Sequence, residues 1–267
     1  MTTARARRLL LIGATIVALS HPAWARSYKE VLEFAEVFKA NAVNGTFVLL
    51  DSEADTMFVW NEARANERFT PASTFKIANS LIGLDVGAVK NVEEVLPYGG
   101  KPQWIKAWEQ DMNLRDAIKA SNVPIFQELA RRIGLDRMRA GVKKLGYGNM
   151  EIGQVMDRFW LDGPLAISAV EQTEFLSRLV DGKLPIRAEA VRAVKEITLL
   201  EKTDAYELHG KTGWLFDKKL QLGWWVGWIE RDGKTYPFAL NIDVKEDADA
   251  AKRIPIGREC LKALGKL

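Results

Sequence analysis

The chain has 267 residues, of which 48% are hydrophobic and 27% charged, a composition that excludes a disordered protein. Its formal net charge is +3, but three arginines lie within the first eight residues, so residues 26–267 are formally neutral. A neutral chain of this kind gives no electrostatic reason to expect a nucleic-acid partner.

The first 25 residues have the pattern of a secretory signal peptide. Basic residues precede the apolar run Leu9–Leu19, and Ala23-Trp24-Ala25 matches an A-x-A cleavage site. A membrane anchor is the weaker interpretation, because the run is shorter than the ~20 residues that span a bilayer. We therefore expect a cleaved signal peptide over residues 1–25, a folded exported domain over residues 26–267, and no stable membrane insertion.

Two strands and a helix are predicted next. The strands, over residues 44–53 and 55–63, are joined by a short turn. Thr70 followed by Pro71 favours a helix that starts there, with Thr70 as the N-cap and Pro71 at the first helical position. The apolar residues of this helix fall on more than one face, which is typical of a helix buried within a domain.

The rest of the chain is helical in its middle and strand-rich towards its end. Residues 73 to about 200 are mostly helical in pattern, including the segment 111–134. Predicted strands and a closing helix follow, at 206–214, 221–233, 234–244 and 253–267. We therefore predict an α/β architecture of the α+β type: a mostly antiparallel sheet from both chain ends, flanked by helices, with an inserted helical subdomain and the active site between them.

Cysteine and histidine are scarce. Cys260 is the only cysteine, so no intrachain disulfide can form, and its place in the last helix predicts a buried core thiol. His21 lies in the predicted signal peptide, which leaves His209 as the only histidine of the exported domain. This argues against a zinc hydrolase with several His and Cys ligands, and we expect no metal site. A Ser-His-Asp triad would have to use His209.

Ser73 and Lys76 stand one turn apart in the apolar helix. An ammonium group is almost never fully buried without a partner or a purpose. A serine hydrolase needs a nucleophile and a base, and burial favours the neutral amine that can act as a base. By itself, however, S-x-x-K combines two common residue types and is a weak pattern.

Further motifs strengthen the pattern because they follow in order along the chain. They are Ser121-Asn122-Val123, Tyr147-Gly148-Asn149, Trp160-Leu161-Asp162-Gly163 and Lys211-Thr212-Gly213. Each also has a purely structural interpretation: a helix cap at Ser121, a turn at the second motif, a core tryptophan and a solvated lysine. Their joint occurrence in this order is hard to attribute to chance.

The chain resembles the class D, or oxacillinase-type, serine β-lactamases of the penicillin-interacting superfamily. The resemblance is carried by "PASTFKI", "SNV", "YGN", "FWLDGPLAIS", "HGKTGW" and "GWWVGWIE", and it covers essentially all of residues 26–267. Class A enzymes would be expected to have S-D-N where this chain has S-N-V. The resemblance implies a periplasmic enzyme, monomer or homodimer, that hydrolyses β-lactams, gives antibiotic resistance and needs no cofactor except CO2 or bicarbonate.

The resemblance also implies a role for each matching residue. Ser73 would be the acylated nucleophile, and Lys76, as N6-carboxylysine, would be the general base for acylation and deacylation. Ser121 would relay a proton to the leaving nitrogen. The carboxylated lysine would be enclosed by Val123, Trp160 and Leu161, with the Trp160 indole N–H donating to it. The substrate would be held by Lys211, Thr212, Gly213, Trp214 and Arg253, of which Lys211, Thr212 and Arg253 would bind its carboxylate, and the backbone N–H groups of Ser73 and Trp214 would form the oxyanion hole.

The sequence leaves two details of the site undecided, and it leaves three alternative functions to be tested. The segment 97–101, "PYGGK", lacks an aspartate that relatives often have there, and Lys252 or Arg258 could replace Arg253 as the carboxylate ligand. The same motifs occur in β-lactam sensor domains, which follow a multi-span membrane portion, and in D,D-peptidases, which lack the tryptophan-sealed lysine pocket. The third alternative is a binding domain in which the motifs coincide by chance.

Overall fold

The computed structural model describes residues 27–216 and 221–267, so the predicted signal peptide and His21 lie outside the described residues. The strands of this part are β1 Ser27–Glu30, β2 Gly45–Asp51, β3 Thr56–Trp60, β4 Leu199–Lys202, β5 Glu207–Phe216, β6 Gln221–Arg231 and β7 Lys234–Asp243. The helices are α1 Leu32–Ala40, α2 Glu62–Asn66, α3 Lys76–Asp85, α4 Leu114–Lys119, α5 Val123–Ile133, α6 Leu135–Leu145, α7 Ala169–Val180, α8 Ala188–Ile197, α9 Asp247–Ala251 and α10 Arg253–Ala263. Within these two ranges, no helix combines the length and the apolar character needed to cross a membrane.

The strands form one sheet in the order β1-β3-β2-β7-β6-β5-β4. Neighbouring strands are antiparallel except for β1, which pairs with β3 in parallel. The pairing of β2 with β7 joins the two ends of the chain in the middle of the sheet. The predicted fold is confirmed: the sheet comes from both chain ends, and most of the helices lie between them in sequence. The short strands β1 and β4 were not among the predicted elements.

Hydrophobic cores lie on both faces of the sheet, because successive side chains of a strand point to opposite faces. Trp224 and Trp225 of β6 are both fully buried, but Trp224 belongs to the core under the helical subdomain and Trp225 to the core under α1 and α10. Cys260 of α10 is fully buried in the second core. The predicted core position of this thiol is therefore confirmed.

The predicted start of the nucleophile helix is wrong. Residues 72–75 form a 3-10 turn, and α3 begins only at Lys76. Ala72 has a φ of 49°, in the left-handed region, so the chain cannot enter a regular helix at Pro71. Thr70 does not cap a helix; its carbonyl oxygen accepts a hydrogen bond from Trp224 Nε1 at 3.1 Å.

The helical segment 111–134 is divided into α4 and α5. Ser121, between the two helices, has a φ of 51° and does not act as a helix cap. That position belongs to Asn122, whose side chain accepts a hydrogen bond from the Ile125 N–H at 3.1 Å. The break leaves Ser121 in a tight bend beside the start of α5.

Candidate active site

Ser73 and Lys76 are in direct contact at the junction of the 3-10 turn and α3. Lys76 Nζ lies 2.7 Å from Ser73 Oγ and donates a hydrogen bond to it. Ser73 is partly buried, whereas Lys76 has no exposed surface. Burial, and next the positive charge of Lys211, lower the pKa of Lys76 well below its ordinary value. The arrangement therefore places a hydroxyl nucleophile beside an amine that favours its neutral, basic form.

One aromatic ring lies close to the Lys76 amine, and two others stack on each other at the neighbouring residue Phe75. The centre of the Phe126 ring, on α5, lies 5.2 Å from Lys76 Nζ. Phe75 stacks on Trp160 with 5.5 Å between the ring centres. Trp160 is fully buried, and in the described residues its Nε1 has no hydrogen-bond partner. Leaving such a donor unpaired costs about 1–3 kcal/mol, so the indole N–H is available to an acceptor that binds beside it.

The K-T-G motif lies on β5, beside the nucleophile. Lys211 is buried and donates a hydrogen bond to the Thr212 carbonyl at 3.0 Å. Burial, and next the charge of Arg253, lower the pKa of Lys211 to about 7. Arg253 Nη1 donates to the Gly213 carbonyl at 2.6 Å, and its guanidinium lies 5.8 Å from the centre of the Trp214 ring. Burial also lowers the pKa of Arg253, to about 10.

The three basic residues near the start of α10 have different partners. Lys252 pairs with Asp249 at 2.7 Å, and Arg258 pairs with Glu201 at 2.8 Å. Arg253 lines the cleft beside Ser73 instead. Among residues 27–216 and 221–267, no carboxylate forms an ion pair with Arg253. Within the described residues the Arg253 guanidinium is therefore available to an anionic ligand, and the geometry favours Arg253 over its two neighbours.

A cleft of about 560 Å³ opens above Ser73. The predicted site residues that line it are Ser73, Ser121, Val123, Leu161, Thr212, Gly213, Trp214 and Arg253, while Lys76, Trp160 and Lys211 are buried beside it. The cleft is also lined by residues to which the sequence assigned no role, namely Trp104, Ile105, Trp108, Arg158, Asp162 and Phe216. Trp104 is 72% exposed and packs edge-on against Phe216 across the mouth of the cleft, with 4.7 Å between ring centres.

Gly213 allows β5 to approach the nucleophile. A Cβ atom built on Gly213 would lie 2.9 Å from the Pro71 carbonyl oxygen and 3.1 Å from Thr74 Cγ2. Only a residue without a side chain fits this gap without displacement. The absence of a Cβ therefore brings the backbone of the K-T-G motif against the turn that carries Ser73.

His209 lies outside this arrangement. Its Nδ1 is 2.9 Å from the Lys195 carbonyl oxygen, and its ring stacks on Trp228 with 4.5 Å between ring centres. In the part of the chain that the structure describes, the Ser73 hydroxyl pairs with Lys76 and not with an imidazole. A Ser-His-Asp triad built on His209 is therefore not formed.

Comparison with known proteins gives consistent matches over most of the chain. The model of the penicillin-binding protein transpeptidase domain matches residues 35–262. Beta-lactamase OXA-10 of Pseudomonas aeruginosa is 41% identical over 253 residues, which cover 94% of this chain and 95% of that protein. Beta-lactamase OXA-48 of Klebsiella pneumoniae is 39% identical over 258 residues, which cover 96% of this chain and 97% of that protein. The crystal structure of FUS-1 (OXA-85), a class D β-lactamase from Fusobacterium nucleatum subsp. polymorphum, matches with a TM-score of 0.87 and 47% identity over 90% of this chain and 100% of that chain.

Proposed function

The chain belongs to the class D serine β-lactamases, and we propose that it hydrolyses the β-lactam amide of penicillin-type antibiotics through an acyl-enzyme on Ser73. The observation that carries this proposal is the 2.7 Å contact between Ser73 Oγ and the buried Lys76 Nζ. A serine hydroxyl is a weak nucleophile until a neighbouring base takes its proton. Lys76 is within reach of that proton, and burial favours its unprotonated form, which can accept it.

Each half-reaction uses groups at the floor of the cleft. Ser73 Oγ forms a bond to the lactam carbonyl carbon while its proton passes to the side chain of Lys76. The backbone N–H groups of Ser73 and Trp214 stabilise the negative charge that develops on the carbonyl oxygen. As the carbon–nitrogen bond breaks, the ring nitrogen takes a proton relayed by the Ser121 hydroxyl. Water then attacks the ester carbonyl carbon while one of its protons passes to the side chain of Lys76. As the ester bond breaks, this proton returns to Ser73 Oγ and restores the hydroxyl.

The substrate carboxylate is held by Lys211, Thr212 and Arg253. The pKa of Lys211 is lowered to about 7 by burial and by Arg253, so a bound carboxylate would stabilise its charged form. The Arg253 guanidinium, whose pKa of about 10 keeps it charged at neutral pH, supplies a second donor and lines the cleft. This pair of cations explains why the site suits an anionic bicyclic substrate.

We further propose that Lys76 carries a carbamate as N6-carboxylysine. The neutral amine would form a nitrogen–carbon bond to CO2, supplied by bicarbonate, with release of one proton. This group, when formed, supplies an anionic base beside Ser73. The low pKa of Lys76 fits its formation. The buried Nε1 of Trp160, which has no hydrogen-bond partner in the described part of the chain, fits an anionic acceptor. Val123 and Leu161 would shield it from the cleft.

Residues 1–25 are proposed to direct export, so that residues 26–267 act in the periplasm as a monomer or homodimer and give resistance to β-lactams. No nucleic-acid partner is expected. Purified protein should turn over benzylpenicillin and a chromogenic cephalosporin, faster with added bicarbonate than without it. A stoichiometric adduct without turnover would instead indicate a sensor domain. Cleavage of D-Ala-D-Ala peptides in preference to β-lactams would indicate a D,D-peptidase.

Trp160→Phe is expected to give a folded enzyme with slow deacylation that bicarbonate or higher pH partly restores. The change keeps most of the ring volume but deletes the indole donor, and one charge-assisted hydrogen bond is worth about 1.5–3 kcal/mol. The sign of the pH effect follows from carbamate formation, which needs the unprotonated amine, and that form becomes scarcer as the pH falls. Carbon-13 NMR with labelled bicarbonate should show a carbamate signal in the wild type that is weaker in this variant.

Trp225→Phe is the matched control. Trp225 is equally buried, its Nε1 also has no partner in the described residues, and it lies in the core on the other face of the sheet. It should not change the response to bicarbonate. If Trp160→Phe hydrolysed penicillins normally and ignored bicarbonate, Trp160 would be a packing residue and the carbamate would lose its proposed donor.

Gly213→Ala is expected to lower the acylation rate much more than Gly210→Ala does. The new Cβ would clash with the Pro71 carbonyl oxygen, so β5 or the turn must move, and a misplacement of ~1 Å can cost ~10²-fold in rate. Gly210 lies on the same strand and has a comparable neighbour, the Val226 carbonyl oxygen at 3.0 Å, but it does not line the cleft. Stopped-flow acylation by benzylpenicillin would measure both variants, and equal losses in both would contradict this role of Gly213.

A further inference from the structure

The turn that carries the nucleophile, residues 71–75, is held in a strained conformation. Ala72 has a φ of 49°, a region that residues other than glycine seldom adopt. Ser73 follows it directly, so relaxation of Ala72 towards an ordinary φ would move the hydroxyl away from Lys76. The surrounding structure must therefore supply contacts that keep this nucleophile turn in place.

One such contact closes the nucleophile turn on itself. The Thr74 hydroxyl donates a hydrogen bond to the Pro71 carbonyl oxygen at 2.7 Å, and the Thr74 backbone N–H donates to the same oxygen at 3.2 Å. Thr74 is 1% exposed, so water cannot readily replace either bond. The hydroxyl thus joins the two residues that flank Ala72 and Ser73.

A buried chain of hydrogen bonds leads from this hydroxyl into the helical subdomain. Gln172 Nε2, on α7, donates to Thr74 Oγ1 at 2.8 Å. The Tyr147 hydroxyl donates to Gln172 Oε1 at 3.3 Å. Gln172 and Tyr147 are as deeply buried as Thr74. Burial raises the pKa of Tyr147, which keeps its phenol protonated and able to donate.

The donors and acceptors of these hydrogen bonds can be arranged in only one direction. The single hydroxyl hydrogen of Thr74 is used by the Pro71 carbonyl, so Thr74 Oγ1 can only accept from its other two neighbours, the Gln172 amide and the Tyr147 hydroxyl. The Gln172 amide can satisfy that need only with its nitrogen, which turns its oxygen towards the donor on Tyr147. A flipped amide would set two acceptors against each other at Thr74. The side chain of Gln172 is therefore fixed from both ends.

We propose that Thr74 and Gln172, anchored by Tyr147, are positioning residues that hold Ser73 Oγ against Lys76. None of the three lines the cleft, so they act on the reaction through the backbone of the nucleophile turn and do not touch the substrate. Tyr147 belongs to the Y-G-N motif, which has no role in the catalytic steps described above. The proposal gives this motif an indirect role in the reaction. The proposal rests on the proposed acylation of Ser73.

The experiment compares Thr74→Val, Thr74→Ser and Thr173→Val by stopped-flow acylation with benzylpenicillin, normalised to folded enzyme. Thr74→Val keeps the side-chain volume but removes the hydroxyl, and the acylation rate constant should fall roughly ten- to a hundredfold. Thr74→Ser keeps the hydroxyl and should acylate at nearly the wild-type rate. Thr173 is the neighbour of Gln172 on α7, is equally buried, and donates its hydroxyl to the Ala169 carbonyl at 2.9 Å. Thr173→Val should lose thermal stability without losing acylation rate.

The outcomes separate this proposal from the proposed function. Mass spectrometry of the wild type should place the penicillin adduct on Ser73; an adduct elsewhere would overturn the function itself. With that adduct in place, a wild-type acylation rate in Thr74→Val, or an equal loss in Thr173→Val, would overturn only the positioning role. If Thr74→Val does not fold, Gln172→Met and Tyr147→Phe break the same chain further from the nucleophile turn. Each should slow acylation in the same direction, and unchanged rates in both would refute the proposal.

Discussion

Ser73→Ala is expected to abolish β-lactam hydrolysis while the protein stays folded. Removal of the nucleophile from a serine hydrolase can lower the turnover rate by as much as ~10⁶-fold. The fold should survive, because the lost hydroxyl accepts one hydrogen bond, from Lys76, and the expected cost of about 1–3 kcal/mol is below the ~5–15 kcal/mol that stabilises a typical domain. Hydrolysis of a chromogenic cephalosporin and a thermal melt would measure the two effects.

The control for this variant is Ser80→Ala. Ser80 lies on α3, the helix that follows the turn with Ser73. It is fully buried, and in the described residues its hydroxyl has no hydrogen-bond partner. It should keep wild-type activity. Intact-mass measurements after penicillin treatment should show an adduct in the wild type and in Ser80→Ala and none in Ser73→Ala. Residual turnover of Ser73→Ala near the wild-type rate would mean that another residue is the nucleophile.

Lys76→Ala is expected to slow both half-reactions, because the proposed mechanism uses Lys76 as the base in acylation and in deacylation. Loss of a general base typically costs ~10²–10⁴-fold in rate. If deacylation suffers more than acylation, the acyl-enzyme should accumulate, and a time course of intact mass after addition of penicillin would show it. Steady-state rates give the total loss.

Lys76→Met separates chemistry from packing. The methionine side chain keeps most of the volume of the lysine stem but has no amine, and replacing a buried ionisable group by an apolar one is often neutral or stabilising. This variant should melt no lower than the wild type and still be as slow as Lys76→Ala. Normal turnover in either variant would exclude Lys76 as the base.

The fold could be predicted from sequence where the elements are long. The strands β5, β6 and β7 each have ten or more residues, and their predicted ranges overlap the observed ones closely. The strands β1 and β4 have four residues each at the two edges of the sheet, and β1 is exposed throughout. Four residues are too few for an alternating pattern to stand out from a loop.

The candidate site was predictable where the residue types are unusual for their surroundings. Lys76 could be identified without structural information, because a lysine is unusual in an apolar helix. Phe126 and Gln172 carry no such signal, since a phenylalanine or glutamine on an amphipathic helix is typical of ordinary core or surface. The same holds for Ala72: Thr-Pro favours a helix start, and an alanine gives no sign of a left-handed φ as a glycine would.

The central pairing of β2 with β7 has a consequence for how the protein is made. Trp224, which binds the Thr70 carbonyl, is synthesised 154 residues after it, and β7 is added later still. Closing loops of this length is entropically unfavourable and slow, so the contact between the nucleophile turn and β6 is expected to form late in folding. A ribosome-bound chain that still lacks these strands therefore lacks a complete catalytic centre. Activity is therefore expected only after release of the C-terminal strands.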